Sequence, residues 1–263
     1  MKPDVTLEAP PGWERVAVVS DLHLGPDAPR TVECFLDWLR NDALGADALF
    51  ILGDLFEAWI GDEQCAMEPD SAEHRVCEAL AALHAHGCKV AVQRGNRDFL
   101  LGETFARTCG IDLLPDPSLL NLGGERIVLT HGDALCVSDQ AYQQWRAVCR
   151  DPAWQARFLA LPVEERLRQA SAARAQSRAS QATMETLVDA DAAQAEQWLR
   201  DADSTWMIHG HTHRPKDHWR DGRLRQVLAD WDLDHADAPR AQILWLESAP
   251  HWIGVRRQTL CAA

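Results

Sequence analysis

Aspartate, asparagine and histidine recur in this chain in five short motifs: Asp21-Leu22-His23, Gly53-Asp54, Gly95-Asn96-Arg97-Asp98, His131-Gly132-Asp133 and Gly210-His211-Thr212-His213. Nitrogen and carboxylate donors without thiolate suit Mn2+, Fe2+ or Zn2+ rather than Ca2+. Two such ions held together can clamp a phosphate and generate a hydroxide at neutral pH. Singly, each motif has an ordinary explanation. D-x-H is common by chance, a carboxylate after Gly53 can make a turn or cap a helix, and Gly95-Asn96 can be a turn because both residues tolerate positive φ. His131 alone is as readily a core histidine as a ligand. His211 and His213 are stronger, since residues two apart share a face of an extended chain, as Asp21 and His23 do. Gly210 also permits close backbone approach. His209 has the same parity but lies inside the preceding strand and reads as structural. Asp54, with several lone pairs on two oxygens, is the natural bridge between two cations, and Asn96 is a neutral oxygen donor that moderates the charge.

The elements that must position these residues follow from the periodicity. Arg15 to Ser20 reads as a buried strand delivering Asp21 and His23 to a loop. Residues 47–52, 88–93, 126–130 and 205–209 read as four more strands, running into Gly53-Asp54, Gly95-Asn96, His131 and Gly210. Residues 31–44 are expected to be a helix with Thr31 as N-cap and Phe35, Leu36, Trp38 and Leu39 on its apolar face. Residues 71–86 are expected to be a second, capped by Ser71 and stopped by Gly87. Alternating strands and helices signal an α/β fold, whose ligands sit at strand ends. Residues 1–13 read as a loose leader. The stretches 223–229, 241–247 and 252–258 read as strands of a second sheet packed on the first. Residues 138–203 read as a helical insertion, with Trp154, Phe158 and Leu161 at i, i+4 and i+7 and with Tyr142, Trp145 and Val148 near one face.

The five motifs in order, four of them directly after apolar, β-branched runs, resemble the calcineurin-like metallophosphoesterases: D-x-H, G-D, G-N-[HR]-[DE], H and G-H-x-H. Most members carry histidine after the asparagine. Arg97 stands there instead. Together with GDLFEAWIGD (53–62), GNRDFLLG (95–102), HGDALC (131–136) and IHGHTHRP (208–215), it resembles one branch, the UDP-2,3-diacylglucosamine diphosphatases of lipid A synthesis. The resemblance implies a four-layer αββα sandwich with a core of 14–137 and 204–260 and a helical lid of 138–203. It implies two Mn2+ ions, one held by Asp21, His23, Asp54 and His213, the other by Asp54, Asn96, His131 and His211. Asn96, Arg97 and His211 would serve catalysis, and Asp139, Tyr142, Ser177, Gln181 and Met184 would join Asn96, Arg97 and His211 around the substrate. The branch often has asparagine at the position of Gln181 and lysine at that of Met184. Apolar lid residues (Trp145, Trp154, Phe158, Leu159, Leu161) would line a groove for acyl chains. The implied reaction is attack on the α-phosphorus of UDP-2,3-diacylglucosamine, releasing UMP and the diacylglucosamine 1-phosphate. The alternatives are another metallophosphoesterase, such as a phosphodiesterase or dinucleoside-polyphosphate hydrolase, and a catalytically silent scaffold. Arg97, GDLFEAW and the aromatic-bearing insertion speak against the first, and the complete ligand set against the second.

Bulk properties narrow the remainder. A chain of 263 residues with 46% hydrophobic content can build a real core. The net charge of −14 argues against nucleic acid as a partner. Seven arginines (146, 150, 157, 166, 168, 174, 178) face three acids between 140 and 180, a local positive patch suited to head-group phosphates or an anionic membrane surface. The opening MKPDVTLEAPPGW lacks an apolar core segment, so no signal peptide is expected. The expected place is the cytosol, peripheral on the cytoplasmic face of the inner membrane. Eight cysteines without a CxxC pair read as reduced, mostly buried thiols, with a zinc-thiolate site not expected.

Overall fold

The structure is a computed structural model. It describes residues 2–183, 189–249 and 252–260, and within 176–183 the backbone alone. Its strands are β1 (Thr6–Glu8), β2 (Arg15–Val19), β3 (Ala48–Leu52), β4 (Lys89–Gln93), β5 (Asp112–Leu114), β6 (Ser118–Leu122), β7 (Glu125–Thr130), β8 (Trp206–His209), β9 (Lys216–Arg220), β10 (Arg223–Val227), β11 (Gln242–Ala249) and β12 (Trp252–Thr259). Its α-helices are α1 (Pro29–Arg40), α2 (Gln64–Met67), α3 (Ala72–Ala85), α4 (Glu103–Cys109), α5 (Gln140–Cys149), α6 (Pro152–Leu159), α7 (Val163–Thr183) and α8 (Ala192–Asp201).

The strands form two six-stranded sheets, β12-β11-β2-β3-β4-β5 and β1-β6-β7-β8-β10-β9. Strand parity explains how they stack. Val16, Val18, Phe50 and Leu52 of the first sheet meet Ile127, Leu129 and Ile208 of the second in one buried cluster. The alternate residues Ala17, Val19, Leu49, Ile51, Val90 and Val92 turn the other way, onto Phe35, Leu36 and Leu39 of α1, Val76 and Leu80 of α3 and Phe105 of α4. Leu119, Val128 and Met207 on the outer face of the second sheet pack on Trp198 and Leu199 of α8. The central strands of both sheets are therefore buried on both faces, which accounts for their near-continuous apolar runs. The result is the expected four-layer α/β/β/α sandwich, and its fourth layer is a helix drawn from within residues 138–203.

Three local expectations are corrected. Thr31 is not a helix cap: α1 starts at Pro29 with Ala28 at the cap position. The Thr31 hydroxyl instead donates to Asp234 at 2.8 Å and accepts from the Leu233 amide at 3.0 Å, so a tertiary partner displaced the local one. The C-terminal strands do not form the second sheet by themselves. β9 and β10 join it through β8, while β11 and β12 extend the first sheet through β2. The leader is not loose throughout, since β1 pairs with β6 in parallel. Ser71 does cap its helix, accepting from the His74 amide at 3.1 Å.

Candidate dinuclear metal centre

β2, β3 and β4 of one sheet and β7 and β8 of the other all present their C-terminal ends to the same place. The loops there bring seven side chains together. Asp21 Oδ1 lies 3.4 Å from His213 Nε2, and His213 Nε2 lies 3.3 Å from His23 Nε2. Asp54 Oδ2 is 3.8 Å from His23 Nε2, and Asp54 Oδ1 is 3.8 Å from His131 Nε2. Asp54 thus turns one oxygen toward each half of the site. Asn96 Oδ1 sits 2.9 Å from both His131 Nε2 and His211 Nδ1. All seven sequence-predicted metal residues meet here.

The backbone beneath them is unusual. Asp21, His23, Asp54, His211 and His213 all have positive φ, between 50° and 66°, a region that non-glycine residues rarely enter. It persists because the loops are locked. The Asp21 amide donates to the Gly53 carbonyl, the His23 amide to that of Asp54, and the His211 amide to Asp21 Oδ2. Buried Asp98 accepts from the Leu55 and Gly95 amides, each at 2.7 Å. It ties the loop after β3 to the loop after β4, so the last residue of the GNRD motif shapes the site without facing it. The approach at Gly95 is so close that a β-carbon there would collide with the Asp54 backbone and carboxylate. Gly210 is under the same constraint from Ser20 and Asp21.

These donors fit a pair of divalent cations. Two carboxylates and four imidazoles converge on a buried space, and two overlapping groups, Asp21/His23/His213 and Asp21/Asp54/His131, have ligand atoms within 4.8 Å of one another. Asp21 Oδ1 is buried and accepts no hydrogen bond among the described residues. It faces His213 Nε2 at 3.4 Å, and a buried carboxylate oxygen is costly unless a cation compensates it. Nδ1 of His131 is committed to the Leu52 carbonyl at 2.9 Å, which leaves Nε2 for the centre.

Electrostatics carry the same message. Burial would raise the Asp21 carboxyl, but His213, His131 and His23 hold it well below the usual range. Burial would lower His131, yet Asp54, Asp21 and Asp133 push it up to about 9. His213 goes up to about 10 against its burial, through Asp21 and Asp230, although its side chain is 38% exposed and water screens part of the effect. His211 is pushed down to about 4 by burial and by His131. In the metal-free site protons on His131 and His213 neutralise the carboxylates, and cations would take over that task.

Around the ligands lies a supporting layer, of which Glu57, Asp230 and Arg240 escaped sequence reasoning. His23 Nδ1 lies 3.0 Å from Glu57. His213 Nδ1 lies 3.3 Å from Asp230, itself gripped by Arg240. Asp230 follows the apolar end of β10 just as the predicted ligands follow their strands, so the same rule would have found it. Asp133 accepts from Tyr142 Oη at 2.5 Å and from Arg146 Nε at 2.9 Å, with Arg150 at 3.5 Å. The Tyr142 ring stacks on His211 with centroids 5.9 Å apart. Of the insertion's arginines, 146 and 150 therefore face Asp133. Arg166 is buried against Glu63 and the Ile60 carbonyl, and Arg168 pairs with Glu165.

The remaining predicted residues scatter more. Arg97 is half-buried, with Nε donating to no partner among the described residues, and its amide donates to Asp54 Oδ1 at 2.8 Å. Asp139 caps α5, accepting from the Tyr142 amide at 2.9 Å. Ser177 and Gln181 lie on the backbone of α7, but their side chains are outside the description, and Met184 is outside the described residues. In the insertion Trp145, Trp154 and Phe158 form an aromatic ladder, and Trp154 touches Phe99 of the loop after Asn96 at 6.1 Å between centroids.

The family described as Calcineurin-like phosphoesterase matches residues 14–215. A curated relative from Bordetella parapertussis, named UDP-2,3-diacylglucosamine hydrolase, is 47% identical over 230 residues, covering 85% of this chain and 88% of the relative. One of the same name from Stenotrophomonas maltophilia is 47% identical over 225 residues, covering 81% and 89%. A solved structure of Vps29 with zinc from Entamoeba histolytica aligns over 94% of this chain and 99% of its own at 14% identity and a TM-score of 0.45. With its ligand-bearing strand ends and its match across more than two thirds of the sequence, the chain belongs to the calcineurin-like metallophosphoesterases.

Proposed function

We propose that this protein hydrolyses the diphosphate of UDP-2,3-diacylglucosamine by attack on the α-phosphorus, giving UMP and 2,3-diacylglucosamine 1-phosphate, with two Mn2+ ions as its cofactors. The observation that carries the reading is Asp54, whose two oxygens face His23 and His131 at 3.8 Å each. That arrangement suits a bridging carboxylate, and the named relatives supply the substrate. Asp21, His23, Asp54 and His213 would hold one ion and Asp54, Asn96, His131 and His211 the other. When bound, such a pair lowers the pKa of a water toward neutrality and neutralises phosphoryl oxygens.

The chain's own residues do the rest. Arg97 offers a permanently charged fork to the diphosphate, with its Nε unengaged among the described residues. Its charge favours the transition state, and a sugar-phosphate leaving group departs without a proton from the protein. Tyr142, held by Asp133, backs His211 with its ring. The Trp145–Trp154–Phe158 ladder, docked on Phe99, provides an apolar wall beside Arg97 for acyl chains. Asp139, Ser177, Gln181 and Met184 are assigned to the head group, residues 138–203 to the insertion, with α5–α7 as its lid and α8 as a sandwich layer, and 14–137 with 204–260 to the core. No helix among the described residues is long and apolar enough to cross a membrane. The lipid substrate of the proposed reaction would be met by peripheral contact at the cytoplasmic face of the inner membrane.

The test is hydrolysis of UDP-2,3-diacylglucosamine by Mn2+-loaded protein in 18O water. Label in UMP supports α-attack, and label in the sugar phosphate refutes it. Turnover of a generic phosphodiester without any release of UMP would instead favour a different metallophosphoesterase activity.

A further inference from the structure

Three cysteines far apart in sequence meet in the helical layer outside the first sheet. Cys65 comes from α2, Cys77 from the first half of α3 and Cys109 from the last position of α4. They are 6%, 2% and 0% exposed, and their sulfurs lie within 4.8 Å of one another. Val76, Leu80 and Phe105 belong to the same apolar cluster. None of the three is part of the dinuclear centre.

An isolated buried cysteine behaves as a small hydrophobe and has no reason to seek another. Here Cys65 Sγ stands 2.7 Å from Cys77 Sγ. That is tighter than two unbonded sulfurs rest, yet well beyond the ~2.05 Å of a disulfide. Metal–thiolate bonds of about 2.3 Å place the sulfurs of a trigonal or tetrahedral site roughly 3.8–4 Å apart, so Cys65 and Cys77 would part from 2.7 Å on binding and stay within the 4.8 Å that spans the trio. Thiol hydrogen bonds from Cys109 and Cys77 hold Cys65 down to about 4, while hydrogen bonding within the trio and burial push Cys77 and Cys109 up, so one thiolate is ready to ligate and the other two thiols give up their protons only to a metal.

We propose that Cys65, Cys77 and Cys109 bind one thiophilic d10 metal ion, of the class of Cu+ and Zn2+, at a site separate from the dinuclear centre. Soft thiolates select these ions over those preferred by nitrogen and oxygen donors. Among the described residues no fourth histidine, cysteine or carboxylate joins the trio, so a three-coordinate Cu+ fits directly, whereas Zn2+ would need a water to complete its tetrahedron. Binding expels the thiol protons. The ion would fasten α2, α3 and α4 to each other, and α2 lies ten residues beyond Asp54 in sequence.

The test uses the full chain, reduced, with the dinuclear centre first saturated with Mn2+. Cd2+ is titrated as a visible substitute for Zn2+, and Cu+ is titrated in parallel under argon against a competing chelator. The expected result is thiolate-to-metal charge-transfer absorption that saturates at one ion per chain. It should be lost in Cys77→Ser and Cys109→Ser and kept in Cys88→Ser and Cys149→Ser. Absence of the absorption from wild-type protein with both ions overturns the proposal whether or not the variants fold. Absorption of unchanged size in both Cys77→Ser and Cys109→Ser overturns it too.

Discussion

Asp230 Oδ2 stands 3.3 Å from Nδ1 of His213, on the side of the ring turned away from Asp21. Arg240 holds the same carboxylate through two hydrogen bonds, one of them 2.7 Å long. A carboxylate behind a ligating imidazole fixes the ring's tautomer and raises its basicity, and loss of such a partner commonly weakens metal binding about 10–100-fold. Asp230→Asn is therefore expected to weaken binding of one Mn2+ within that range, with turnover recovered at high Mn2+. Calorimetric titration measures this, and two unaltered affinities would remove Asp230 from the site.

Asp54 turns one oxygen toward His23 and the other toward His131. Asp54→Ala should lose metal from both positions and abolish hydrolysis. Metal content by elemental analysis, with two ions still bound and near-wild-type rates, would rule out a bridge.

Arg97 is expected to act on the substrate and not on the ions. Arg97→Ala should keep its metal and lose turnover by about 10²–10³-fold, the usual effect of removing one charge-stabilising donor. Arg97→Lys should recover only part of that, because a lysine cannot fork onto two oxygens. A metal-depleted Arg97→Ala protein would make the residue structural.

The buried histidine His131 gives the metal-free protein a pH signature. Its folded value of about 9 lies above the ordinary 6.5. Stabilisation from its proton is complete below about 6.5 and is lost as pH rises through about 9. Metal uptake must expel that proton, so affinity for Mn2+ should climb over the same interval. Melting scans from pH 6.5 to 9.5 should show the metal-free protein losing stability while the shift produced by Mn2+ grows. A metal-induced shift that is flat across this window would contradict the assignment.

Gly95→Ala should disable the centre from beneath, since the added carbon meets the Asp54 carboxylate and amide. Overpacking of this kind costs about 1–3 kcal/mol, and displacement of Asp54 should cost metal as well. A variant with normal metal content would show that the loop has slack.

The site was legible because each ligand follows an apolar strand in a parallel run, and parallel strands bring their ends to one edge. Asp230 follows the same rule on β10 and could have been read with the others. What could not be read was pairing between distant segments. β9 and β10 went to one sheet and β11 and β12 to the other because of their partners β8 and β2, which no local pattern encodes. Thr31 looked like a cap until Asp234 claimed its hydroxyl. Cys65, Cys77 and Cys109 have no motif spacing, since three helices bring them together by packing alone.

The left-handed backbone under Asp21, His23, Asp54, His211 and His213 acts before any ion arrives. At about 1–2 kcal/mol for each such residue, the five together rival the ~5–15 kcal/mol net stability of an ordinary domain. Glycine at any of them would at once disarm the protein and relax it. A dead His23→Gly variant, which keeps the buried Asp21 carboxylate and its bond from the His211 amide, should outlast the living protein when both are heated without metal. A breeding programme that rewarded only heat endurance in chelator would drift away from catalysis, one relaxed loop at a time.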